Sequence, residues 1–180
     1  MQYISIFLFL FPLFIKANAQ TISEDRYLLA LIYLQTNEEI NAEIKRIFPK
    51  VSRKKDSFVK LQISDRISFL RLLYFRDQLT KNNYRINSNL ISNSKMYYDK
   101  YYFKPYEDKL LKSISSFGSN DSPLFLTFSK PVDNYLVAEI SRFNPKEMTS
   151  IKFGKAMQLF FKFDANGFIE DVLYTGCQYN

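Results

Sequence analysis

A chain of 180 residues, 47% hydrophobic and 24% charged, is long and apolar enough for one real core and too apolar to be disordered. It has no histidine, one cysteine and four scattered glycines. That excludes Ser-His-Asp and Cys-His triads, His-containing and Cys-rich metal sites, iron–sulfur clusters, a Walker loop and a dinucleotide fingerprint, so no cofactor is expected. The net charge is +7, or +6 once Lys16 leaves with a leader. It permits binding to anionic surfaces or polymers and says nothing about fold.

Residues 1–19 have the form of a secretory signal peptide. Ile4–Ile15 is an apolar run interrupted only by Ser5 and Pro12, and Ala17-Asn18-Ala19 fits the small-x-small cleavage pattern. No Lys or Arg precedes the run. The run is shorter than the roughly 20 residues that span a bilayer, and none of that length follows. The expectation is export, to the periplasm or the medium, after cleavage near Ala19, with residues 20–180 as one soluble domain. Gln20 stands where lipoprotein processing needs Cys.

Ser23, followed by Glu24 and Asp25, starts a helix with an apolar face of Leu28, Leu29, Leu31, Ile32 and Leu34. Thr36-Asn37-Glu38-Glu39 matches a capping box, and a second helix runs to Phe48 with Ile40, Ile44, Ile47 and Phe48 inward. Pro49 ends it; two helices or one kinked helix both fit. A basic connector, residues 50–56, follows. Phe58–Ser64 alternates as a half-buried strand, with Val59, Leu61 and Ile63 on one face. Ser64-Asp65 starts a helix to about Thr80, apolar most of the way round.

Residues 81–95 are a polar loop. Pro105 opens a helix with Leu110, Leu111, Ile114 and Phe117, closed by Gly118. Leu124–Ser129 and Tyr135–Ser141 are two strands joined around Pro131-Val132-Asp133-Asn134, and Arg142–Ser150 is a loop. Met157–Thr175 is the strongest local signal: aromatic and β-branched runs flank Asp164-Ala165-Asn166-Gly167. Asn166-Gly167 could centre a two-residue turn, with Lys162 facing Asp171. The preferred register puts Asp164 first in a type I turn, Gly167 at a left-handed bulge and Lys162 opposite Glu170. Leu159, Phe161 and Phe163 face the core. The sum is an α+β fold: a helical N-terminal two-thirds packed on a C-terminal antiparallel sheet ending in a β-hairpin.

Carboxylate chemistry survives the exclusions. Its candidates are Glu139, Glu147, Asp164, Glu170 and Asp171, but no spacing singles out a pair. Glu139 stands out within an apolar strand, although a residue alternating with Tyr135 and Val137 fits a solvated face. Asp164-x-Asn-Gly lacks the further oxygen ligands of a calcium loop. Cys177 fits an inert strand-end thiol or an intermolecular bridge.

Two clusters suit binding. Arg53, Lys54 and Lys55 centre a basic run from Lys45 to Lys60, opposed only by Asp56. In an exported protein its polyanion would be lipopolysaccharide, anionic lipid or acidic glycan rather than nucleic acid; the plain reading is a solvated connector. Tyr97, Tyr98, Tyr101 and Tyr102 have lysines interleaved. Such a stretch stacks on sugars or packs as a helical stripe. A/T-rich codons encode Phe, Tyr, Ile, Lys and Asn alike, which inflates both clusters.

The leader, the helical front, the Phe128-Ser129-Lys130-Pro131 strand and the closing FKFDANGFIEDV hairpin together resemble uncharacterised small exported proteins of Bacteroidota. The resemblance implies export and a bacterial source, and it carries no activity and no functional residues. The expected function is an exported binding module, for an anionic surface or polymer or for a protein partner. Its alternatives are a glycosidase-like carboxylate hydrolase and a structural partner subunit.

Overall fold

A computed structural model describes residues 26–51, 57–68, 72–82, 84, 106–107, 109–144 and 154–179. Helix α1 covers 26–36 and α2 covers Glu38–Ile47. The break between them is a cap: the Asn37 side chain accepts a hydrogen bond from the Ile40 amide at 2.9 Å. Thr36 instead donates back to the Ile32 carbonyl, so Asn37 starts α2. On α1 the buried positions are Tyr27, Ala30, Leu31 and Leu34, one helical stripe, while Leu28 and Ile32 face out. On α2, Ile40, Ile44, Ile47 and Phe48 are buried as the periodicity predicts.

Among the described residues the sheet has six strands in the order β2-β1-β3-β4-β5-β6. They are β1 (Gln62–Ser68), β2 (Tyr106–Glu107), β3 (Phe125–Ser129), β4 (Tyr135–Ser141), β5 (Gly154–Phe163) and β6 (Ile169–Tyr179). The fold is mixed α+β, but the sheet is not wholly antiparallel: β1 runs parallel to β3. Nor is the front of the chain helical throughout. The helix expected from Ser64 is strand to Ser68, followed by a 3-10 turn at Leu73–Phe75 and a short α3 at Arg76–Lys81. The Ser64-Asp65 helix-start signal falls inside this strand, and the apolar run that suggests a helix begins only at its end, from Ile67. Helix α4 covers Lys109–Ile114, and Gly118 caps the 3-10 turn after it. No helix among the described residues is long and apolar enough to cross a membrane.

The closing hairpin turns as its residues dictate. Asp164 Oδ1 accepts the amides of Asn166 and Phe168, both at 2.9 Å. Gly167 takes a φ of 86°, where a side chain would be strained. A further register shift after Phe163 makes Lys162 the Cα partner of Asp171, whereas the turn alone predicts Glu170. The Lys162 ammonium still reaches Glu170, at 2.5 Å.

Both sheet faces are packed. Leu159, Phe161 and Phe163 join Leu136, Ala138 and Ile140 under α1 and α2. On the opposite face Tyr135, Val137 and Phe160 bury against Leu72, Phe75 and Leu79. The face assigned to solvent by simple alternation is thus a second, smaller core.

Candidate functional site

Three segments meet at one end of the sheet. Helix α2 stops at the Phe48 cap because Pro49 cannot continue it, and Lys50 follows. Strand β4 stops at Ser141, whose hydroxyl accepts the Phe143 amide at 3.3 Å and so sets Arg142 and Phe143 in a turn. Strand β5 begins at Gly154 and Lys155. Between them lies a cleft of about 360 Å³. Lys50, Arg142 and Lys155 supply its charge. Ile47, Phe48, Pro49 and Phe143 supply its apolar lining, of which Ile47 and Phe48 are buried. Phe143 lies against the bare backbone of Gly154: a Cβ there would stand 2.4 Å from the ring.

Among the described residues no acid lines this cleft, and none of its three cations has an ion-pair partner. The last pair of the β4–β5 ladder is Ser141↔Ala156. Arg142 follows and Lys155 precedes that pair, so two like charges stand at the end of the ladder. By contrast Arg46, one turn before Lys50, is paired with Glu43 at 2.6 Å. That hydrogen bond holds the Glu43 carboxyl below its ordinary value.

A second cavity, of about 190 Å³, is polar; Gln62, Ser64, Asp65, Asn120 and Asn144 line it beside Phe125. On the second sheet face Thr127, Glu139, Gln158 and Thr175 form one row across four strands. Gln158 is fully buried and donates to Glu139 at 2.9 Å.

Three further acids among the sequence's carboxylate candidates are engaged structurally. Asp164 holds its turn, Glu170 pairs with Lys162, and Asp171 accepts from the Tyr84 hydroxyl and the Val172 amide. Burial first, and then that hydrogen bond, push the Tyr84 hydroxyl far above its ordinary value. Among the described residues no group of three or more Cys, Asp or Glu could hold a metal ion. Cys177 is buried, its thiol directed to the Ala156 carbonyl at 3.6 Å, so a bridge to another chain would require the strand end to open.

Arg53, Lys54, Lys55, Tyr97, Tyr98, Tyr101, Tyr102 and Glu147 lie outside the described residues, as does the leader. Lys50 belongs to the expected basic connector and is brought to the cleft. Arg142 and Lys155 are the residues that sequence reasoning missed. Only the pairing of β4 with β5 brings both to the same end of the sheet. No protein-family model, curated protein or solved structure matches the chain.

Proposed function

We propose that the protein is an exported binding domain that holds anionic groups of a surface or polymer in the cleft of Lys50, Arg142 and Lys155. One observation carries the reading: two like charges, Arg142 and Lys155, stand at the end of the β4–β5 ladder and line a cleft with no acid among the described residues. An anion between them would turn a local repulsion into two attractions. The basic run of Arg53, Lys54 and Lys55 begins three residues after Lys50 and extends the same charge along the chain. The leader supports export, and the tyrosine stretch of Tyr97, Tyr98, Tyr101 and Tyr102 is a second contact surface that the residues suggest.

The test expresses the gene with its own leader and applies the recovered protein to immobilised heparin over a salt series. The recovered chain is expected to begin at Gln20. Retention is expected to fall steeply with salt, and the double variant Arg142→Glu, Lys155→Glu is expected to lose most of it. An intact leader on the recovered protein would refute export. Absence of retention at low salt, or an unchanged double variant, would refute the binding site.

A further inference from the structure

The charge of the cleft is only half of its chemistry. A site for a fully hydrated polyanion needs cations and no apolar floor. Here the same cleft presents the buried side chains Ile47 and Phe48, the Pro49 ring and the half-buried Phe143 ring. We infer that the cleft takes a single-chain amphiphilic anion, with its acid group between Arg142 and Lys155 and its hydrocarbon along Phe143 and the end of α2. The inference rests on the anion-binding reading above and adds a free small molecule to the anions that the cleft accepts.

The orientation follows from the backbone. The C-terminus of α2 at Phe48 carries about half a negative charge from its unpaired carbonyls. That end repels an acid group and leaves the apolar part of the ligand as its natural neighbour. The opposite end, where Arg142 and Lys155 stand at the sheet terminus, has two cations without an ion-pair partner among the described residues. Lys50 follows the helix end, where the carbonyls already offset part of its charge, so it contributes less.

The size follows from the volume. At about 30 Å³ per water-sized group, the 360 Å³ cleft holds about a dozen non-hydrogen groups. A phosphate head takes five of these, which leaves room for about seven carbons. That is the lower end of the range of small-molecule sites, about 300–1,000 Å³. Each methylene that enters apolar contact strengthens binding by up to about fourfold.

Titration calorimetry on the recovered protein tests this with inorganic phosphate and butyl, hexyl, octyl and dodecyl phosphate, each below its micelle concentration. Affinity is expected to rise with each step to octyl phosphate and then level off at dodecyl. Octanoate replaces octyl phosphate in a parallel arm, and the tighter of the two identifies the acid group as carboxylate or phosphate. The exposed pair Arg142→Gln, Lys155→Gln is expected to weaken octyl phosphate at least tenfold, Lys50→Gln clearly less, and the distant Lys112→Gln not at all.

Affinity independent of chain length would overturn the inference. With salt-sensitive heparin retention intact, that result leaves the broader anion-binding reading standing. Affinity that climbs through dodecyl phosphate without levelling and ignores the double variant would mean detergent adsorption, and would also overturn it. A levelling series without heparin retention would support the small-molecule site and refute the polymer reading. Binding of neither class would refute both.

Discussion

If Arg142 and Lys155 repel each other in the empty cleft, removing that repulsion stabilises the fold while it destroys the site. Lys155→Glu is the sharpest version. Two unit charges about 6 Å apart in water interact by about 0.7 kcal/mol. Reversing one of them changes the sign, a swing of about 1.4 kcal/mol before losses. Both side chains are exposed, and exposed pairs rarely deliver more than about 1 kcal/mol. The expected gain at low salt is therefore about 0.5–1 kcal/mol, a rise in Tm of about 1–4 °C for a chain of this length. The cross-strand neighbour on the other side of Lys155 is Gln178, which is neutral and does not disturb the comparison. Urea unfolding at low and high salt measures the effect, with Lys155→Gln as the charge-neutral control at about half the gain. The gain should shrink at high salt, where screening acts within a few ångströms. A variant no more stable than the parent at low salt, or a gain untouched by salt, refutes the reasoning about the paired cations.

Three other outcomes follow from the packing. Asp164→Ala leaves two turn amides without their acceptor and should cost about 1–2 kcal/mol in urea unfolding, whereas Asp164→Asn, which keeps an oxygen in place, should cost less than half of that. Phe160→Ala should cost about 3–5 kcal/mol, because Phe160 is fully buried in the second core; a loss below about 1 kcal/mol would show that face to be loosely packed. Tyr84 has its hydroxyl raised above the ordinary value by burial and by Asp171, so the stability linked to it is complete below about pH 10, the unfolded value, and is lost as pH rises beyond it. Unfolding curves of Tyr84→Phe should fall less steeply across that alkaline range, and identical slopes would remove Tyr84 from the account.

What the sequence disclosed follows the range of the forces involved. The hairpin was legible because Asp164 and Gly167 set their turn within four residues. The inward face of α2 was legible because its period is helical. The strand at Gln62–Ser68 reads as helix beyond Ser64 because Ser64-Asp65 matches a helix cap and the apolar run from Ile67 onward has no distinguishing period. The extra residue at Glu170 is likewise a matter of strand pairing, which the local turn does not determine. The second core is not legible in the sequence because alternation along β4 fits a solvated face equally well, while Leu72, Phe75 and Leu79 supply the cover from a distant segment. The cleft needs α2, the end of β4 and the start of β5 together, so its two chief cations carried no signal until the register was known.

The parallel pairing of β1 with β3 also orders the events of folding. Strands β3 to β6 are sequential and antiparallel, so each joins its neighbour across a connection shorter than the one that precedes β3. Strand β1 reaches β3 only when the chain of residues 69–124 has been gathered into a closed loop, and that closure carries a larger entropic cost before any contact rewards it. The four-strand meander is expected to form first, with β1 and the two-residue β2 joining it later. In native-state hydrogen exchange the amides of β1 and β2 should therefore open as a separate unit of lower free energy, while those at the centre of β5 exchange only on global unfolding.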